Sequence, residues 1–178
     1  MLNGYSLPVL NALNFFVENP YEEIHLREFS RKLKISPNSA QRFLNLFLKE
    51  CFVIDERRAN LRYFKANTNS IVFRNIKITF LLRKIQNSGM IGCLQNNFSN
   101  VILFGSSAKG LDDSKSDLDL VCIGKTKISF EKFEKKLKRI INAKFLNLNE
   151  WKKIKENNKA FYQDVISEGI NIVGEMPV

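Results

Sequence analysis

The sequence predicts an α+β protein built from two small domains. Apolar residues recur at helical spacing through most of the first half, which also contains one alternating segment typical of a β-hairpin. Two short apolar runs in the second half, 101–104 and 120–123, indicate buried strands. A chain of 178 residues has room for two domains, which we place at 1–69 and 88–178 with a linker helix at 70–87.

Three helices are predicted before the hairpin. Apolar residues at helical spacing define the first, from Leu7 to Glu18, and Asn19-Pro20 ends it. The segment LREFSRKLKI has the apolar spacing of a second helix. Ser36-Pro37 then provides an N-cap and a first-turn proline for the third helix. A short turn therefore joins the second and third helices.

The third helix has one apolar face and one face of amides and basic residues. The apolar stripe follows i, i+3, i+4 spacing and contains Ala40, Phe43, Leu44, Phe47 and Leu48. The opposite face contains Asn38, Gln41, Arg42, Asn45 and Lys49. Amides and arginine are the side chains that read base edges in a major groove. This face is therefore a candidate nucleic-acid surface.

The alternating segment CFVIDERRANLRYFKA follows, with Arg57, Arg58 and Arg62 at or near its tip. Together with the helices it resembles a winged helix-turn-helix domain over about Ser6 to Asn67. The resemblance implies a recognition helix at Pro37–Glu50, a wing tip at Ala59-Asn60, and binding of nucleic acid, DNA more than RNA. The alternative is that the domain is a protein-contact or dimer module, and homodimerisation stays open.

An acid pair in the second half starts a predicted strand. Val101 to Phe104 runs into Gly105-Ser106, and Asp117-Leu118-Asp119 follows eleven residues after that serine. Residues two apart on a strand point to the same side, so the two aspartates should converge. Adjacent carboxylates repel one another and favour a bound cation, and oxygen ligands suit Mg²⁺. The alternative is a pair of ordinary solvated loop acids.

This pattern, LFGSSAKG followed by SDLDL, resembles the DNA polymerase beta type nucleotidyltransferases, closest to their small minimal members, over about Ser88 to Val178. The resemblance implies a mixed sheet with helices. It also implies Mg²⁺ or Mn²⁺ held by Asp117 and Asp119 as the catalytic residues, with an NTP as substrate or ligand. Gly105 and Ser106 would hold its phosphates, and Lys109 is a further candidate.

A third carboxylate is expected on the strand after the connecting helix, because two-metal phosphoryl transfer uses one. We predict that helix at Ser129–Ile141 and the strand at Ala143–Leu148, which places Lys144 at the acid's position. A lysine there would neutralise part of the aspartate charge and disfavour a second metal ion.

Two functions therefore stay open. The first is an enzyme that transfers a nucleotidyl group from an NTP to an RNA, protein or small-molecule hydroxyl, including an antitoxin-like enzyme that modifies a partner protein. The second is a DNA-binding transcriptional regulator whose nucleotidyltransferase-like domain is catalytically inactive and only binds nucleotide or a partner. The intact G-S and D-x-D pattern favours the first, and Lys144 favours the second.

The net charge of +10 favours a polyanionic partner. Residues 1–96 contain 14 basic and 7 acidic residues, whereas residues 97–178 contain 14 and 11. The excess therefore lies mainly in the first half. A lysine-rich solvated surface is the alternative explanation.

The sequence predicts a cytoplasmic protein. It has no apolar run long enough to span a membrane and no signal peptide at its start. Its three cysteines, Cys51, Cys93 and Cys122, are scattered among apolar neighbours, which predicts reduced core residues.

Overall fold

The computed structural model describes residues 6–177. The chain forms two compact units, one ending at Lys77 and one beginning at Ile78. Both units combine helices with a sheet, so the α+β fold class is confirmed. The boundary between the units falls within one helix, and the domain limits at 69 and 88 stay predictions.

The N-terminal unit contains three helices followed by a hairpin. Its three-stranded sheet has the order β1-β3-β2 and is antiparallel throughout. The elements are α1 Leu7–Glu18, β1 Ile24–His25, α2 Leu26–Leu33, α3 Pro37–Lys49, β2 Val53–Arg58 and β3 Leu61–Ala66, after which α4 Ile71–Asn87 runs into the next unit.

Aromatic side chains fill the core of this unit. Phe16, Phe29 and Phe47 are fully buried, and the ring of Phe16 packs 5.3 Å from that of Phe29 and 6.1 Å from that of Phe47. The predicted N-cap of α3 is present, because the Ser36 hydroxyl accepts a hydrogen bond from the Ser39 amide. Burial of Phe47 in this core fixes which side of α3 faces outward. Cys51 is exposed, so the prediction that all three cysteines lie in cores was wrong for that residue.

The C-terminal unit is a four-stranded mixed sheet with helices. Its strand order is β6-β5-β4-β7, in which β5 and β6 are parallel and the other neighbours are antiparallel. The elements are α5 Met90–Asn97, β4 Asn100–Phe104, α6 Gly105–Lys109, β5 Leu118–Ile123, α7 Glu131–Leu137, β6 Ile141–Leu146, α8 Leu148–Asn157, α9 Lys159–Glu168 and β7 Ile170–Val173.

Strand β5 is buried on both sides of this sheet. Leu118, Leu120 and Cys122 belong to one apolar cluster, whereas Val121 and Ile123 belong to another on the opposite side. The second cluster also contains Trp151 and Tyr162 from α8 and α9, and Val165 from α9. Asp119 is the one polar residue of the strand, and it lies at the strand's start on the side of this second cluster.

Helix α7 and strand β6 both differ from their predicted limits. The helix ends at Leu137 because Lys138 adopts the left-handed conformation, with φ of 55°. The strand then begins at Ile141, two residues earlier than predicted. The predicted helix was therefore too long, and the predicted strand began too late.

Within residues 6–177, none of the helices combines the length and apolarity that a membrane crossing needs.

Candidate functional site

The two aspartates of the acid pair meet a third polar side chain from the neighbouring strand. Asp117 directly precedes β5, and Asp119 is its second residue. The Asn142 amide nitrogen donates to Asp117 Oδ2 at 3.0 Å and lies 3.5 Å from Asp119 Oδ1. The aspartates therefore converge as predicted.

Asn142, not Lys144, occupies the position opposite the acid pair. In the parallel register Asp119 pairs with Asn142, whereas Lys144 pairs with Val121, further along the strand. The Lys144 ammonium lies 4.5 Å from the centroid of the Phe161 ring. The prediction that Lys144 stands at the third-carboxylate position was wrong, because β6 begins earlier than the sequence pattern indicated.

Gly105 lets the backbone approach the acid pair. Its φ of +70° lies in the left-handed region, and a Cβ atom there would lie 2.7 Å from Asp119 Oδ2. Phe104, which precedes it, pairs with Asp119 across β4 and β5. Glycine is therefore required for both its conformation and its lack of a side chain.

We expect Gly105→Ala to weaken any ligand binding that depends on Asp119. The added methyl group must displace the Asp119 carboxylate and hold the backbone in a strained conformation, at a cost of about 1–3 kcal/mol. Urea unfolding measures the resulting loss in the free energy of unfolding, and calorimetric titration of an NTP with Mg²⁺ measures the loss of binding. Gly92→Ala is the matched control, because nothing lies within 4 Å of a Cβ at that helical glycine. An equal effect of the two substitutions would contradict the steric argument.

Two serines at the start of α6 have different surroundings. Ser106 is exposed, while Ser107 is buried and its hydroxyl donates to the Asp117 carbonyl oxygen at 3.3 Å. Ser107 therefore positions the residue that starts the acid pair, whereas the Ser106 hydroxyl is open to a ligand.

Lys109, a predicted phosphate ligand, forms ion pairs with two acids of α9. Its ammonium lies 3.1 Å from Asp164 Oδ1 and also contacts the Glu168 carboxylate. The hydrogen bonds with Glu168 and then Asp164 raise the pKa of Lys109 above its ordinary value. Lys109 therefore joins α6 to α9, and a phosphate would have to replace these carboxylates.

Arg139 holds the loop that connects α6 to the acid pair. Its guanidinium donates to Asp112 Oδ2 at 2.7 Å, to the Ser107 hydroxyl at 3.0 Å, and to the backbone carbonyls of Ser116 and Asp117 at 2.5 Å and 3.2 Å. The Arg139 and Asp112 side chains are each only 9% exposed. The sequence pattern placed Arg139 within the helix predicted at Ser129–Ile141 and gave it no role. The signal it lacked was the end of that helix at Leu137.

The same loop contains an aspartate that orders its own backbone. The Asp113 carboxylate accepts from the Lys115 and Ser116 amides and from the Ser116 hydroxyl. The Ser116 hydrogen bond, then those of the amides, lower the pKa of Asp113 despite partial burial. Its stabilisation of the loop is therefore present above the unfolded pKa and is lost as the pH falls through the folded pKa.

We expect Arg139→Ala to destabilise the C-terminal unit by about 3–5 kcal/mol, because it removes one partner of a buried ion pair. The measurement is urea or thermal unfolding of the full chain. Lys135→Ala, at an exposed position of α7, is the matched control and should change stability by less than about 0.5 kcal/mol. Similar stabilities of the two variants would contradict the role assigned to Arg139.

The candidate nucleic-acid residues of α3 lie on its outer face. Asn38, Arg42 and Asn45 are exposed. The Gln41 amide donates to Asn45 Oδ1 at 2.9 Å, and the Arg42 guanidinium lies 5.6 Å from the Phe43 ring centroid. The structure therefore brings these four side chains together on one helix.

The arginines of the hairpin have different neighbours. Arg58 donates to Glu23 at 2.6 Å and to Glu56 at 2.7 Å. Arg62 donates to Asp55 at 2.5 Å. Arg57 is exposed and forms no ion pair within residues 6–177. The hairpin arginines thus carry partners that the sequence pattern did not reveal.

Comparison with known proteins adds one clear match, which lies in the C-terminal half. Residues 90–176 match the family model described as "Polymerase beta, Nucleotidyltransferase". This region is therefore similar to nucleotidyltransferase domains. The match extends from α5 through β7, so it includes the acid pair, Gly105 and Asn142.

One solved structure, titled "Crystal structure of the toxin-antitoxin with AMP-PNP", is 18% identical to this chain. The alignment covers 51% of this chain and 75% of that chain, with a TM-score of 0.35. A similarity of this size carries no argument about function. No curated protein matches the chain.

The oxygen atoms at the acid pair of the C-terminal unit fit a hard divalent cation. Mg²⁺ binds through one or two carboxylates, waters and substrate phosphates. Asp117 and Asp119 provide two carboxylates, and the Asn142 side chain can present its amide oxygen if the group rotates. No group of three His, Cys, Asp or Glu side chains suited to a metal occurs among residues 6–177. Two carboxylates and one amide oxygen fit one cation that a nucleotide shares.

Proposed function

We propose that the nucleotidyltransferase domain binds an NTP together with Mg²⁺ or Mn²⁺ and transfers a nucleotidyl group to an acceptor hydroxyl. The observation that carries this proposal is the convergence of Asp117 and Asp119 beside the backbone of Gly105. The cation would neutralise charge on the phosphates and the leaving group. The two aspartates act as its ligands and as the catalytic residues.

The NTP phosphates lie along the start of α6 in this proposal. Gly105 allows close approach of the backbone, and the exposed Ser106 hydroxyl and amide donate to phosphate oxygens. Lys109 is the weakest member of the predicted set, because Asp164 and Glu168 already neutralise it. We assign Lys109 to the position of α9 against α6, with phosphate binding as its secondary role.

We propose that residues 1–69 form a winged helix-turn-helix domain that binds nucleic acid, DNA more than RNA, with residues 70–87 as a linker helix. The order of three helices and a hairpin, with a three-stranded antiparallel sheet, supports this proposal. The exposed face of α3 supports it as well. The predicted contacts are Asn38, Gln41, Arg42 and Asn45 on α3, and Arg57, Arg58 and Arg62 on the hairpin.

One observation favours a second candidate, a DNA-binding regulator whose nucleotidyltransferase domain binds nucleotide or a partner protein without catalysis. Asn142 contacts both aspartates where a third carboxylate is expected. A neutral amide cannot supply the negative charge that holds a second metal ion near an attacking hydroxyl. Nucleotide binding is compatible with this residue, whereas efficient transfer is disfavoured.

Both candidate functions include nucleotide binding, which calorimetric titration of the four NTPs, with and without Mg²⁺, tests. Binding that requires Mg²⁺ supports the nucleotide site. The absence of binding by all four NTPs contradicts it and leaves the domain as a scaffold. Pyrophosphate release then distinguishes the transferase from the inactive regulator.

A further inference from the structure

Helix α2 has an exposed basic flank that the predicted contacts leave out. Arg27 and Arg31 are four residues apart, which places them on one side of the helix, and Lys34 directly follows its last residue. All three are exposed. Within residues 6–177, none of their side chains forms an ion pair or a hydrogen bond.

The other flank of α2 has balanced charge. The Lys32 ammonium contacts the Glu22 carboxylate and lies 3.8 Å from Glu28 Oε1. Glu28 also lies 3.9 Å from His25 Nε2. The two flanks of one short helix therefore differ, because only the first presents positive charge without opposing carboxylates.

The basic flank leads to the start of α3. Lys34 closes α2 in the left-handed conformation, with φ of 55°, and Ser36 caps α3 two residues later. Asn38 and Arg42, the first polar residues of the α3 face, follow within two turns. A polyanion that contacts α3 at its N-terminal end therefore meets Lys34 close by.

The hairpin has the opposite property. Glu23 and Glu56 lie within hydrogen-bonding distance of Arg58, and the bond with Arg58 lowers the pKa of each carboxyl group. Asp55 pairs with Arg62 in the same way. These carboxylates stay ionised at neutral pH. An approaching phosphate must displace them and is repelled by them.

We propose that Arg27, Arg31 and Lys34 form the main phosphate-binding surface for a nucleic-acid duplex, and that Arg58 and Arg62 make no net electrostatic contribution to its binding. The inference rests on the proposed nucleic-acid function of residues 1–69. It assigns phosphate contacts to α2, leaves base contacts to α3, and makes the hairpin electrostatically neutral toward the backbone.

Salt-dependent binding of the full chain to a labelled DNA duplex of about 20 base pairs, followed by fluorescence anisotropy from about 50 to 200 mM KCl, tests this assignment. Each lost phosphate contact lowers the slope of log K against log salt concentration by about 0.9. The triple variant Arg27→Gln, Arg31→Gln, Lys34→Gln should lower the slope by about 2–3 and the low-salt affinity by about tenfold or more.

Two controls accompany the triple variant. Removal of both partners, by Arg58→Gln, Arg62→Gln, Glu23→Gln and Asp55→Asn in the hairpin variant and separately by Lys32→Gln with Glu22→Gln, should change the slope by less than about 0.5, because each set removes equal numbers of positive and negative charges. The charge-preserving variant Arg27→Lys, Arg31→Lys should keep the wild-type slope, because a phosphate contact needs charge more than the shape of the guanidinium. This last variant also separates lost charge from lost folding.

The outcomes distinguish a failure of the α2 phosphate surface from a failure of the proposed nucleic-acid binding by residues 1–69. A slope change in the hairpin variant that equals or exceeds that of the triple variant overturns the α2 surface while nucleic-acid binding stands. A wild-type chain that binds the duplex without salt dependence, or does not bind it, overturns both. A loss confined to the triple variant supports the assignment.

Discussion

The double substitution Asp117→Asn with Asp119→Asn is expected to abolish Mg²⁺-dependent NTP binding. Both carboxylates point at one place, shown by their shared contact with the Asn142 amide. Asparagine keeps their shape but removes two negative charges and two strong oxygen ligands. Loss of one second-shell partner already lowers metal affinity about 10–100-fold, so loss of both direct ligands should cost about 100-fold or more. Calorimetry of wild type and variant measures the difference.

The fold should survive this change. Both aspartates lie at the start of β5, and the buried residues of that strand, Leu118 and Leu120, are unchanged in the variant. Glu131→Gln on the exposed start of α7 is the matched control for removing a carboxylate elsewhere in the same domain. NTP affinity that stays unchanged in the double variant would refute the metal-site assignment.

The substitution Asn142→Asp is expected to raise nucleotidyl transfer. It places a third carboxylate within about 3.5 Å of the other two, on the evidence of the present amide contacts, and so supplies the ligand that a second metal ion needs. We expect pyrophosphate release from an NTP in the presence of Mg²⁺ to increase by about tenfold or more.

The unfolding temperature of Asn142→Asp provides a second measurement that does not depend on activity. Three adjacent carboxylates repel one another, so Asn142→Asp should lower the unfolding temperature without Mg²⁺ and recover it when Mg²⁺ is added. Lys144→Asp is the control, since that residue pairs with Val121 and lies two positions further along β6. A gain in Lys144→Asp with none in Asn142→Asp would show that the register argument is mistaken.

Much of this site could be predicted from the sequence, because its strands are short apolar runs with a polar interruption. Val101 to Phe104 and the acid pair lie on neighbouring strands as expected. The convergence of Asp117 and Asp119 followed from the two-residue period of a strand. The match of residues 90–176 to the nucleotidyltransferase family model agrees with the resemblance predicted for about Ser88 to Val178.

The two errors at the site have one physical origin. Helix α7 ends because Lys138 adopts the left-handed conformation. The sequence has no glycine or proline at this point that would predict the end of the helix. Because the helix stops there, β6 begins two residues earlier than predicted, and Asn142 instead of Lys144 lies opposite Asp119. Arg139 then lies between the helix and the strand, where it forms a buried ion pair with Asp112. Ion pairs were equally hidden in the N-terminal unit, since Glu23 and Arg58 are 35 residues apart.

The parallel pairing of β5 with β6 has a consequence for the order in which the site is assembled. Strands β4 and β5 pair antiparallel, whereas Asn142 and Arg139 reach the acid pair only after the crossover through α7 is complete. A nascent chain therefore exposes Asp117 and Asp119 before it contains the residues that hold them. During synthesis, the proposed nucleotide site is therefore complete only once β6 has emerged and docked.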